Sequence, residues 1–121
     1  MAASVGYKRL EMWKASDELV RAVYRATTDF PKNEIYGLTS QLRRASLSVV
    51  LNIVEGYARR SSGDLRRFLD ISLGSLAETE YLLELCNELG YLSERDFSSL
   101  NEMRSVCGRL IWSYRAKITR R

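Results

Sequence analysis

Five polar residues, Gln41, Arg44, Ser48, Asn52 and Glu55, follow one another in steps of 3, 4, 4 and 3. Those steps stack side chains along one face of an α-helix. A line holding both a carboxylate and a guanidinium could do chemistry, with Glu55 as a general base and Arg44 as an anion clamp. The rest of the chain gives that chemistry little help. It has no His at all, which removes the usual general base, the Ser-His and Cys-His nucleophile pairs and the Glu-x-x-His ligands of di-iron bundles. It also lacks a Walker loop, a GxGxxG turn and a Cys-x-x-Cys pair. No catalytic residue, metal ligand or cofactor is therefore assigned. The line reads first as a hydrogen-bond network that fixes helix register, buried or at an interface.

The residues around the line say where that helix sits. Leu42, Ala45, Leu47, Val49, Val50, Leu51, Ile53 and Val54 are apolar on several faces, whereas an outer helix of a small bundle shows water a broad polar half. Burial on more than one side follows, and in a chain of 121 residues the second cover is another subunit. Leu47, Val50, Leu51 and Val54, with Gln41, Arg44, Ser48, Asn52 and Glu55, are the expected interface of a homo-oligomer.

One proline, few turn clusters and long stretches of Leu, Glu, Arg and Ala predict an all-α fold in a single domain over 1–121. Helices are expected at about 10–29, 34–58, 64–89 and 94–118. The first carries Trp13, Val20, Val23, Thr27 and Phe30 on one face and stops before Pro31. Asn33 is the expected cap of the second. Ser61 with Asp64, and Ser93 with Asp96, resemble capping boxes, and Gly90 suits a left-handed helix stop. The third and fourth helices keep a 4-3 rhythm through Leu65, Leu69, Ser72, Leu76, Thr79, Leu83 and Cys86, and through Leu100, Met103, Cys107, Leu110, Tyr114 and Ile118. Short connections favour an up-down-up-down four-helix bundle. Gly74 and Gly108 lie deep in these helices, where close helix approach, rather than a ligand, is the expected reason for them.

In that arrangement the charges separate. One end gathers Lys8, Arg9, Lys14, Arg59, Arg60, Arg66, Arg67, Arg115, Lys117, Arg120 and Arg121 against Glu11, Asp17, Glu55, Asp64 and Asp70, a net of +6. The other holds Lys32 and Arg95 against Asp29, Glu34, Glu80, Glu84, Glu88, Glu94 and Asp96, a net of −5. Clustered Arg and Lys neutralise phosphates and release counterions, so RNA or DNA is the expected partner of the basic end. Solvated helix ends that keep the protein soluble are the plainer alternative. Tyr7, Tyr57 and Tyr114 fall toward this end and read first as packing, with stacking on a base as the alternative. Cys86 and Cys107 read as reduced, packed thiols, with a disulfide as the alternative. The first residues lack the apolar core of a signal peptide and no apolar run is long enough for a membrane helix, so a cytoplasmic protein without membrane contact is expected.

A set of motifs runs through nearly the whole chain: Phe30-Pro31-x-x-Glu34-x-Tyr36-Gly37-Leu38, Gln41-Leu42-Arg43-Arg44-Ala45-x-x-Ser48, Asn52-Ile53-x-Glu55-Gly56, Gly74-Ser75-Leu76-x-Glu78 and Leu89-Gly90-Tyr91-Leu92. In this order they resemble the four-helix-bundle family of proteins encoded in intervening sequences of bacterial 23S ribosomal RNA, which includes the accessory variability proteins of diversity-generating retroelements. The resemblance implies a homopentameric, funnel-like barrel of four-helix protomers. For the retroelement members it implies a basic surface that engages nucleic acid and a reverse transcriptase. It transfers no catalytic residue. The expectation is thus a ring-like homo-oligomer of four-helix bundles, non-enzymatic. It binds nucleic acid through Lys8, Arg9, Arg59, Arg60, Arg66, Arg67, Arg115, Lys117, Arg120 and Arg121, as an accessory factor to a retroelement reverse transcriptase. The alternative is a structural or scaffold oligomer with protein partners.

Overall fold

The computed structural model describes residues 6–119, so Arg120 and Arg121 lie outside the described residues. Four helices follow in order: α1 (Glu11–Ala26), α2 (Leu38–Ala58), α3 (Ser62–Glu88) and α4 (Glu94–Thr119). Three-residue 3-10 turns at Tyr7–Arg9, Thr27–Asp29 and Lys32–Glu34 precede α1 and join it to α2. Each helix packs on its neighbours in sequence and α4 closes back on α1. The result is a four-helix bundle without strands among the described residues.

The helix ends show local chemistry at work. The extended backbone of Phe30 before Pro31 breaks the chain's helical path after α1. Asn33 does not cap α2, which begins four residues later than expected. Its N-cap position is Gly37, and the donor at Leu38 is satisfied by the Glu34 carboxylate at 3.0 Å. A Cβ on Gly37 would stand 2.5 Å from Glu34 Oε1. The second oxygen of Glu34 accepts from Tyr91 Oη at 2.9 Å. One carboxylate thus ties the α1–α2 connection to the α3–α4 connection. Ser61 Oγ accepts from Asp64 N, and Ser93 Oγ from Asp96 N, each at 3.0 Å, opening α3 and α4. Gly90, at φ +82°, ends α3 in the left-handed region.

The core is a stack of Leu19, Val23, Leu42, Val49, Ile53, Leu69, Leu76, Leu83, Cys86, Cys107 and Ile111. In α1 the fully buried line is Met12, Ser16, Leu19 and Val23, with Trp13 half-buried at its edge. In α4 it runs through Leu100, Cys107, Ile111 and Ile118, leaving Met103, Leu110 and Tyr114 half-buried. Polar groups inside are spent on backbone carbonyls: Ser16 Oγ donates to Met12 O, Thr79 Oγ1 to Ser75 O, and Ser72 Oγ across the bundle to Val49 O at 2.9 Å. Both cysteines are buried free thiols, held protonated because burial pushes each up to about 11.

α2 and α3 approach closely. A Cβ on Gly56 would stand 2.8 Å from the Phe68 Cβ and 3.1 Å from Leu65 Cδ1. Gly108 faces Leu76 at ordinary contact distance. Gly74 overturns the expectation of close α3–α4 approach, because it points outward with nothing within 4 Å of a built Cβ.

Two tests follow from these contacts. Gly56→Ala drives a methyl into Phe68 and should lower the urea midpoint. Overpacking of about 1–3 kcal/mol outweighs a gain in helix propensity of up to about 1 kcal/mol. The Glu34 clamp should show in the pH dependence of stability. The Leu38 amide first, and the Tyr91 hydroxyl second, hold the Glu34 carboxyl below its ordinary range, while the same bond holds Tyr91 above its own. A lowered carboxylate pKa contributes stability above its unfolded value and loses it as pH falls through the folded one. Tyr91, raised, loses its share only as pH rises through its folded value. Glu34→Gln should therefore melt lower than wild type at about pH 7, and the gap should narrow as pH falls toward about 3.

Candidate functional site

Two surfaces gather the residues singled out in the sequence, and they lie on different parts of the bundle. The first is the outer seam between α2 and α3. Beyond their close contact at Gly56, the helices are joined by Ser48 Oγ and Ser75 Oγ at 2.7 Å, with Asn52 Nδ2 donating to Ser48 O at 2.8 Å and to Ser48 Oγ at 3.1 Å. Past this knot Ala45 and Ala77 leave room. A groove of about 800 Å³ opens there, lined by Gln41, Arg44, Ala45 and Ser48 of α2 and Ala77, Glu78, Tyr81 and Leu82 of α3.

The polar line is therefore not a buried network along its length. Only Ser48 and Asn52 are part-buried and bonded into the seam. Gln41 and Arg44 are exposed because the seam opens into the groove beside them, and Glu55 because it lies outside that groove. Arg44 makes no ion pair or hydrogen bond among the described residues, and Glu55 is paired with Arg59 at 2.6 Å. Eleven residues, about 16 Å of helix, separate the imagined clamp from the imagined base, and Glu55 does not line the groove. Val50 is corrected as well. It is 7% exposed, within the protomer, and adds no outer surface. Leu47 and Val54 are half-buried, and Leu51 is 54% exposed. Ile71 and Tyr81 of α3 are exposed too, which sequence reasoning missed. Ile71, Gly74, Glu78 and Tyr81 follow the 3-4-3 spacing of one helix face, a signal the sequence carried.

The second surface is the basic end. Lys8 and Arg9 lie in the turn before α1, Arg59 and Arg60 close α2, Arg66 and Arg67 lie in the first turns of α3, and Arg115 and Lys117 in the last turns of α4. Several are already engaged. Arg115 grips Asp70 with two bonds, at 2.6 and 3.1 Å, across the α3–α4 seam. Arg59 pairs with Glu55, and Arg67 with Asp64 at 3.8 Å. Both Arg59 and Arg67 also lie over the Phe68 ring, at 5.0 and 4.6 Å from its centre. Lys8, Arg9, Arg60, Arg66 and Lys117 have no carboxylate partner among the described residues. Tyr7 packs edge-on against Trp13 at 5.6 Å, and Tyr57 and Tyr114 are half-buried. The exposed aromatic of this half is instead Trp112, at 58%. Its signal in the sequence is its place one position beyond Ile111, which is buried where Leu110 is only half-buried.

Among the described residues no group of His, Cys, Asp or Glu could hold a metal ion, and no helix is long and apolar enough to cross a membrane. No curated protein matches the chain. Its fold is similar to the 1.70 Å crystal structure of a protein of unknown function from the S23 ribosomal protein family of Bacteroides thetaiotaomicron. The two agree with a TM-score of 0.77 at 24% identity, over 86% of this chain and 97% of that one. The model of the 23S rRNA-intervening sequence protein family matches residues 8–113, and the chain belongs to that family.

Proposed function

We propose that the protein is a non-enzymatic homo-oligomer, joined through the outer α2–α3 face, that binds nucleic acid with its basic end. The observation that carries the nucleic-acid part is the set of uncommitted cations, Lys8, Arg9, Arg60, Arg66 and Lys117, gathered by three chain segments at one end. The engaged arginines add to it, since exposed ion pairs contribute only roughly 0–1 kcal/mol and a phosphate can take the place of a carboxylate. Self-association rests on Leu51, Ile71 and Tyr81, exposed on helices whose inner faces are already packed, and on Gly74. A glycine inside a helix costs about 1 kcal/mol relative to Ala, and an approaching second chain gives it a purpose that the protomer does not. The contact would join unlike patches and close into a ring. Five subunits, and a reverse transcriptase as protein partner, are implied by the family resemblance alone. The cytoplasm is the proposed site of action. A scaffold role is the second reading, favoured by Tyr36, 94% exposed, with Ile35 and Leu89 exposed at the acidic end.

The two parts separate experimentally. Light scattering at micromolar concentration should report several times the 13.9 kDa chain mass. Leu51→Glu should reduce it to one chain, as should Gly74→Leu, which fills empty space in the protomer and should leave its helicity intact. A wild-type monomer ends the assembly reading. In nucleic-acid binding, each phosphate contact adds roughly −0.9 to the slope of log affinity against log salt for duplex DNA and −0.7 for single strands. Arg60→Glu with Arg66→Glu should flatten the slope and abolish binding at low salt without changing the oligomer. Glu84→Lys with Glu88→Lys should not weaken it. No binding by wild type at low salt would leave the scaffold reading in its place.

A further inference from the structure

The basic end carries a residue that phosphate contact alone does not use. Trp112 is the one large apolar side chain of α4 that stands exposed. Its neighbours one turn away along α4, Arg109 and Arg115, are cationic, and the other exposed residues beside it are Ser113 and the small Ala116. An apolar contact between proteins draws on a patch of apolar side chains. A single indole rimmed by guanidinium groups instead matches an unstacked base carried on a phosphate chain.

The rim is fixed rather than loose. The Arg115 guanidinium lies 5.8 Å from the centre of the indole and is itself held by two bonds to Asp70 on α3. Asp70 balances the charge of Arg115, which therefore serves to brace the ring. Arg109, one turn before Trp112, donates from Nη1 only to the neutral Ser105 Oγ at 3.1 Å, so its charge stays available. Arg66, one turn before Asp70 on α3, has no carboxylate partner among the described residues. Arg109 thus flanks the indole along α4, about 4.5 Å of helix rise from it, and Arg66 lies across the seam, one turn from the Asp70 that Arg115 grips.

We infer that Trp112, beside the α3–α4 seam, is a stacking platform for one base of single-stranded nucleic acid, with Arg109 taking the adjacent phosphate and Arg66 one farther along the strand. This deepens the nucleic-acid reading above and rests on it. A duplex keeps its base faces covered and offers the indole nothing, so the platform gives a preference for single strands that the cations alone do not.

The probe is a 15-nucleotide oligothymidylate, compared with a duplex of equal length, added to the full chain at low salt. Binding of the single strand should quench tryptophan fluorescence, and the quench should vanish in Trp112→Phe, in which Trp13 is retained. Trp112→Ala should weaken single-strand binding by roughly 5- to 150-fold, the loss of one stacked base, with the salt slope unchanged because no phosphate contact goes. Trp112→Phe should keep most of the affinity. Duplex binding should not change in either variant. Arg66→Gln should instead reduce the slope by about 0.7. Single-strand binding by Trp112→Ala equal to wild type overturns the platform while leaving the nucleic-acid reading standing. Dissociation of the oligomer by Trp112→Ala also overturns it, and makes the indole a subunit contact. A wild type that binds neither probe overturns both.

Discussion

Gly56 sits where α2 leaves no room between itself and α3. A side chain there would meet the Cβ of Phe68, and farther along the seam Ser48 bonds Ser75 while Ala45 and Ala77 line the groove. Small residues let two backbones approach, and approach brings hydroxyls within reach of each other and of carbonyls, as with Ser48 to Ser75 and Ser72 to Val49 O. These directional bonds fix the register of two long helices that apolar packing alone leaves free to slide. Most other features depend on that register. It puts Arg44 opposite Glu78 and Tyr81 around the groove, sets Phe68 beneath Arg59 and Arg67, and leaves Leu51, Ile71 and Gly74 facing outward.

The opposite end is secured by a different device. Glu34 accepts from a backbone amide at the start of α2 and from the Tyr91 hydroxyl beyond α3. Arg43 locks α2 to the end of α1 by donating to Thr27 Oγ1 at 2.8 Å and lying 4.7 Å over Tyr24. Charged groups thus serve as fasteners at the acidic end, whereas at the basic end several cations remain unengaged. The difference bears on function, since a cation that has already found its carboxylate gains less from a phosphate.

Element order was legible in the sequence because helix punctuation is local. Pro31, Ser61, Ser93 and Gly90 act within a turn of where they stand, and the family motifs reach the same fold by another route. The α2 start was misread for the opposite reason: its cap comes from Glu34, four residues upstream, with Tyr91, fifty-seven residues away, holding the other oxygen. Facing directions were legible only approximately. Each inward stripe has residues to either side, and choosing Leu110 over Ile111, or Trp13 over Met12, turns the helix by one residue. An α2 that is apolar all round predicts an outward Val50, yet the protomer alone buries it. Within the protomer the polar line is not one buried unit, because spacing fixes a shared face but not how far a neighbouring helix covers it.

Position along the bundle also decides what assembly can do to charge. A ring closed through the α2–α3 faces would set the protomers side by side with their basic ends on one rim, each bringing the five uncommitted cations. Like charges brought together repel, so such a ring is held by apolar contact against its own electrostatics, and the repulsion eases when a polyanion lies across several subunits. In the proposed ring, assembly and nucleic-acid binding would then favour each other. A strand that spanned neighbouring protomers would add contacts without a second loss of translational freedom, and the assembly would be most stable where the strand was bound.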